Sequence, residues 1–257
     1  PSEVELSEET ASSKGFNDFL ELYVDPFVSL SKEMNDLVGE EAAKLSKAFL
    51  FQSEFIKAAG KSKKPDFSSP ETAKLLGPLQ ETISEINAFK DENRRSEYFA
   101  HLNAISEGTG VLSWFLTETP VSFIPDIKDS ATFWTNKVLK EFKEKDARHV
   151  EWVKQYLGLF DGLKLYVKQY HTTGMTWDKD GGDLATNLAK EHRLDSSSST
   201  ASVPLVQAPA PSAGGPPPPP PPPPADIFEE TTNKSAGSVP SSVGISAVFS
   251  ELSQGEG

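Results

Sequence analysis

After Asp146, the apolar residues Val150, Val153, Leu157, Phe160, Leu163 and Val167 recur at intervals of three and four, and Trp152, Tyr156 and Tyr166 widen the same face. Only an α-helix brings such a series onto one side, and so broad an apolar face needs several neighbours to cover it. The spacing therefore predicts the central helix of a bundle, with Asp146 as its cap.

The rest of the first 183 residues follows the same logic. Phe16, Phe19, Leu20, Tyr23 and Phe27 form a first stripe, which Pro26 should kink or break. Ala42, Leu45, Phe49 and Ile56 form a second. Lys61 to Pro65 reads as a basic loop. Ser69 is a natural N-cap, with Pro70 in the first helical position and Glu71 favourable to the dipole. Leu75, Leu79, Ile83 and Ile86 follow, with Pro78 as a local defect. A break at Asn93 to Ser96 precedes Phe99, Leu102, Ile105, Leu112 and Leu116. Gly108 and Gly110 within that stripe suggest a bend or a close approach of two helices. Pro120 and Pro125 punctuate the next connection. Ile127, Ala131, Trp134, Val138 and Phe142 complete a fifth face that leaves Asn136, Lys140 and Lys143 outward. No alternating β-branched run competes, so the expected fold class is all-α, a six-helix antiparallel bundle followed by a disordered proline-rich tail.

Composition changes near residue 184, where aromatic residues give way to Ser, Ala, Gly and Pro, a mixture that buries too little apolar surface to order itself. The expected organisation is a disordered acidic leader over 1–14, a helical domain over 15–183, a disordered linker over 184–215, a polyproline segment over 216–224, a second linker over 225–243 and a distinct end over 244–257. A net charge of -13 opposes binding to a nucleic-acid backbone. With no cysteine there is neither a disulfide framework nor a thiolate metal site, and no apolar run reaches the length of a membrane span.

The sequence carries few motifs of catalytic or metal chemistry. There is no GxSxG, no HExxH, no EF-hand spacing and no dinucleotide fingerprint around Gly108-Thr109-Gly110, so no enzyme, cofactor or metal site is expected. His101, His149 and His171 read as surface or internally satisfied side chains. The most specific local signal is the run Pro216, Pro217, Pro218, Pro219, Pro220, Pro221, Pro222, Pro223 and Pro224. It forms a polyproline II rod of about 28 Å that docks on aromatic grooves at little entropic cost. No Arg, Lys or Tyr flanks it, which favours profilin over SH3 or WW domains. A plain spacer is the alternative.

The strings 93–114 (NRRSEYFAHLNAISEGTGVLSW), 133–152 (FWTNKVLKEFKEKDARHVEW) and 166–177 (YVKQYHTTGMTW) resemble the helical folded domain of cyclase-associated proteins. The similarity runs over about residues 15–183, and the proline run falls where that family carries its profilin-binding segment. The final GISAVFSELSQG is similar to the opening of the family's WASP-homology actin-binding region. Ile245, Val248, Phe249 and Leu252 lie on one helical face there.

The resemblance implies a cytoplasmic regulator of the actin cytoskeleton. Its helical domain would bind actin, prefer cofilin-decorated filaments (cofilin-actin) and speed subunit release at pointed ends. It also implies a homo-oligomer held by an amino-terminal coiled coil that contacts adenylyl cyclase, although no heptads precede Phe16. The basic continuation of the WASP-homology region and the family's nucleotide-exchange domain are missing from this sequence, so exchange on actin is expected to be absent or weak. Polar residues of the matched strings that packing does not require are the candidate contacts: Asn93, Arg94, Arg95, Asn136, Lys140 and Lys143. His149, His171, Thr172 and Thr173 join them on the resemblance alone. The alternative is a polyproline-bearing scaffold or adaptor linking adenylyl cyclase to the cytoskeleton.

Overall fold

A computed structural model describes residues 10–198 of the chain. Residues 1–9 of the leader expected over 1–14, the polyproline segment and the 244–257 end lie outside the described residues; the rest of that leader is ordered, with Thr10 capping α1 and Ala11 to Lys14 forming its first turn.

Helices and the loops between them make up the described residues, and β pairing among them amounts to an isolated parallel bridge between Ser62 and Gly182. The first stripe becomes α1 (Ala11–Phe19) and α2 (Asp25–Met34), joined without a break by a π-helical turn over Leu20–Val24. Pro26 has no N–H to return to the preceding turn; instead the N–H of Asp25 reaches back five residues to Leu20. The sequence reading expected a kink or break, and the chain widens one turn instead. Asn35 then caps α3 (Asp36–Ala59), its Oδ1 accepting from the N–H of Leu37 at 2.9 Å. The third stripe divides at Leu76 into α4 (Pro70–Leu75) and α5 (Gly77–Glu92), because Pro78 opens a new helix rather than denting an old one. Ser69 caps α4 as expected, through the N–H of Thr72 at 3.2 Å.

The fourth stripe runs through α6 (Phe99–Gly108) and tightens into a 3-10 segment over Thr109–Leu116. Next come α7 (Pro120–Phe142) and α8 (Arg148–Tyr170). Pro125 was expected in a connection but lies inside α7, near enough to its start that a single carbonyl, that of Val121, loses its helical partner. Asp146 was expected to cap α8, but the cap position is Ala147, which has no side-chain cap; Asp146 sits one residue earlier, its carboxylate accepting from the N–H of Arg148 at 2.8 Å. The nine α-helices among the described residues thus correspond to the six expected stripes, two of them subdivided, plus α9 (Leu184–Ser198).

That last helix corrects the first part of the linker expected over 184–215, since residues 184–198 are helical. Asp183 caps it through the N–H of Thr186 at 2.9 Å, and Leu184 and Leu188 are buried against α3. Glu191, 6% exposed, meets Lys61 at 2.6 Å, while Asn187 donates to the carbonyl of Lys61 and to Ser62 Oγ. The basic loop is therefore the dock for α9 rather than a solvated run.

Around the core, α2, α3, α5, α6, α7 and α8 pack in succession, and α8 returns to α2. As expected, α8 is central: Trp152, Tyr156 and Tyr166 are all buried, and Trp152 donates to Ser31 Oγ at 2.8 Å. Gly108 lets α6 approach α8, since a Cβ there would lie 2.0 Å from the Tyr156 hydroxyl. Most buried polar groups are matched this way, as Trp114 is by Gln52 at 3.1 Å.

Glu41 is not. Its side chain is fully buried, and among the described residues neither carboxylate oxygen has a hydrogen-bond partner. Burial pushes its pKa well above the usual carboxylate range, against the weaker pull of Lys90 and Lys44. Glu41→Met, which keeps the volume and removes the polar head, should therefore stabilise the protein at pH 7 by about 1–3 kcal/mol in urea titrations. A variant no more stable than the parent contradicts this.

Candidate functional site

The candidate residues separate into two ends of the bundle. At one end, the α5–α6 break meets the α7–α8 turn, where the Tyr98 ring stacks on Phe142 at 5.9 Å and lies 6.2 Å from His149. Arg94, Arg95 and Lys143 are exposed at this end. Lys140 and Asn136, also exposed, continue along α7, so Lys143 and Asn136 span about 10 Å at helical rise. Asn93 is only half exposed and donates to the carbonyl of Phe89 at 2.8 Å, closing the end of α5. Its role is local structure more than contact.

The charges here are lightly held. Arg94 pairs with Asp91 at 3.0 Å with 67% of its side chain exposed, and Lys143 lies 3.7 Å from Glu144. Exposed pairs of this kind contribute about 0–1 kcal/mol, so a partner can recruit these cations at small cost. Beside them, Arg148 is anchored more firmly, to Asp146 at 2.7 Å and to the carbonyl of Glu33 at 3.1 Å.

Two of the proposed contacts are corrected. His149 is 5% exposed, and its Nδ1 lies 2.8 Å from His101 Nε2. His171 is 2% exposed, with Nε2 within 2.9 Å of both Ser12 Oγ and the Tyr166 hydroxyl, tying α1 to the end of α8. Neither ring is presented to a partner; each is tied into the packing at one end of the bundle. Burial lowers all three pKa values. His101 falls to about 3, helped by His149, and His171 to about 4, while His149 falls despite the opposing Asp146.

Thr172 and Thr173 are exposed, but at the other end of α8, roughly 34 Å away along 23 residues. They line an open cleft of about 680 Å³ with Lys164, Thr119 and Ser122. They form a separate surface from the basic end.

Sequence reasoning missed the aromatic part of the α7 face. Phe133 is 59% exposed, and Trp134, expected on the core face, is only half-buried. Lys137 Nζ sits 3.8 Å from the Trp134 ring centre and 4.6 Å from that of Phe133. The available signal was that Phe133, Asn136, Lys137 and Lys140 occupy i, i+3, i+4 and i+7, so an aromatic ring shares the polar face.

Among the described residues, no cluster of His, Cys, Asp or Glu could hold a metal, and no helix is long and apolar enough to cross a membrane. Comparison with known proteins gives a consistent result. The family model described as CAP, N-terminal domain, matches residues 16–175. An adenylyl cyclase-associated protein of Dictyostelium discoideum is 36% identical over 249 residues, covering 96% of this chain and 47% of that protein. A Schizosaccharomyces pombe relative of the same name is also 36% identical, covering 96% and 44%. Human adenylyl cyclase-associated protein 2 is 37% identical over 176 residues, covering 68% and 36%. The chain thus spans less than half the length of these relatives. A solved CAP N-terminal domain, described as showing variable oligomerisation, superposes with a TM-score of 0.64 at 41% identity, over 68% of this chain and 94% of that one. The corresponding Dictyostelium domain gives 0.63 at 40% identity, over 67% and 98%.

Proposed function

The chain belongs to the cyclase-associated protein family, and from that premise we propose that its helical domain binds actin filaments, prefers those decorated with cofilin, and promotes their disassembly. The work is regulatory and non-catalytic, and it belongs to the cytoplasmic actin cytoskeleton. The observation that supports the reading most is the positive end of α7, where Lys137, Lys140, Lys143 and Lys145 outnumber Glu141 and Glu144, with the exposed Arg94 and Arg95 beside it among Asp91, Glu92 and Glu97, on a chain of net charge -13. A local positive surface orients encounters with an acidic partner against the overall field, and actin is acidic. Co-sedimentation tests this: the chain should pellet with cofilin-decorated filaments and less with bare ones, with affinity falling as salt rises. Equal absence from both pellets refutes it.

The proline run would recruit profilin, bringing a monomer-binding protein to the site of subunit release. Replacing alternate prolines of 216–224 with Ala should abolish profilin binding in calorimetry and leave helical content unchanged. Unchanged profilin affinity rejects this role. The tail face of Ile245, Val248, Phe249 and Leu252 would add weak binding to actin monomers.

The names of the relatives favour a second reading, an adaptor that brings adenylyl cyclase to the cytoskeleton. It predicts capture of the cyclase by a chain whose filament binding is dispensable. Self-association also enters here, from the variable oligomerisation ascribed to the similar domain.

A further inference from the structure

A single exposed apolar side chain is ordinary, but adjoining aromatic rings at a surface carry disproportionate binding energy when a partner covers them. On α7, Phe133 stands 59% exposed and meets Trp134 edge to face at 5.5 Å, while Trp134 is braced from below by Phe99 at 6.1 Å. The pair is therefore backed by the bundle and presented in a fixed pose. Lys137 lies over both rings, one turn along the same helix. From Phe133 to Lys145 the chain places four lysines against two glutamates, a local excess of positive charge in an acidic protein.

We infer that Phe133 and Trp134, clamped by Lys137, are the anchor of the filament contact, with Lys140 and Lys143 as its electrostatic rim. This rests on the actin reading above and goes beyond it by naming the apolar centre. The occupant that fits is an acidic protein surface with a cleft for a phenyl ring and carboxylates around it. On docking, the ring would leave water and Lys137, already desolvated on one side by the aromatic faces, would meet a carboxylate. Charge complementarity argues against a second copy of this chain as the occupant, because the same lysines would face each other across a two-fold contact.

The two parts make different predictions. Phe133→Ser in the full chain should weaken co-sedimentation with cofilin-decorated filaments at least tenfold at every salt concentration, without lowering the melting temperature, because it removes an exposed ring. Lys140→Ala should weaken binding mainly at low salt and flatten the salt dependence. If the parent binds and Phe133→Ser binds equally well, the anchor is wrong while the filament reading stands. If the parent itself fails to bind, the reading falls and the anchor with it. Loss of self-association in Phe133→Ser with filament binding intact assigns the face to a second copy and overturns the inference.

Discussion

Acid should unfold the Glu41→Met variant much more steeply than the parent, with on the order of 3 kcal/mol lost per deeply buried histidine between pH 6.5 and pH 4. His101 and His171 have folded pKa values of about 3 and about 4, below the ordinary 6.5, so the unfolded state takes up protons first as pH falls. Their contribution is complete above pH 6.5 and is lost towards those lower values. Glu41 acts in the opposite sense. Its folded pKa is raised, so its cost grows as pH climbs above 4.5 and vanishes below. In the parent, relief at Glu41 offsets the histidine loss over the same window and flattens the profile. Removing the carboxyl uncovers the slope. Urea midpoints of the variant taken from pH 7 to pH 4 provide the check, and a profile as flat as the parent's contradicts it.

Gly108→Ala should cost about 2–3 kcal/mol, well beyond the usual surface or helix substitution, which would favour Ala. The new methyl would lie 2.0 Å from the Tyr156 hydroxyl and 2.9 Å from Phe160 Cζ. Tyr156 is fully buried and donates to the carbonyl of Ala104 at 2.8 Å, so the clash cannot be relieved without breaking that bond or moving α6 from α8. Because the hydroxyl is the obstacle, Gly108→Ala should cost less in a Tyr156→Phe background, a coupling that a double-mutant cycle reads directly. A single variant as stable as the parent, or additive costs, would show that the two helices adjust freely there.

The helices were legible where apolar residues dominated a long face, as in α3, α7 and α8, although α3 also buries Glu41 and Gln52, which the apolar spacing does not mark. A shorter face was not legible where a polar residue took an apolar position. In α9, Leu184 and Leu188 are followed at the next turn by Glu191, which is buried only because Lys61, 130 residues earlier, neutralises it. No local pattern carries that information. Pro26 and Pro125 predict breaks because each ring removes a hydrogen bond; a π turn and a position near a helix start absorb the loss. At the candidate site, charge picked out Arg94, Lys140 and Lys143 correctly as exposed, since a charged side chain seldom has another option. Histidine carries no such constraint, and His149 and His171 proved to be buried ties. Phe133 was overlooked for the complementary reason: an aromatic residue is assumed to face inward until a structure shows which side of the helix it occupies.

Loss of subunits from the pointed ends of cofilin-decorated filaments measures most directly what the basic end of the bundle does. The full chain should accelerate that loss, and the Arg94→Ala, Lys140→Ala, Lys143→Ala triple variant should slow it again while keeping the parent's melting temperature. A parent that leaves the rate unchanged, or a triple variant as active as the parent from low to moderate salt, would contradict the account.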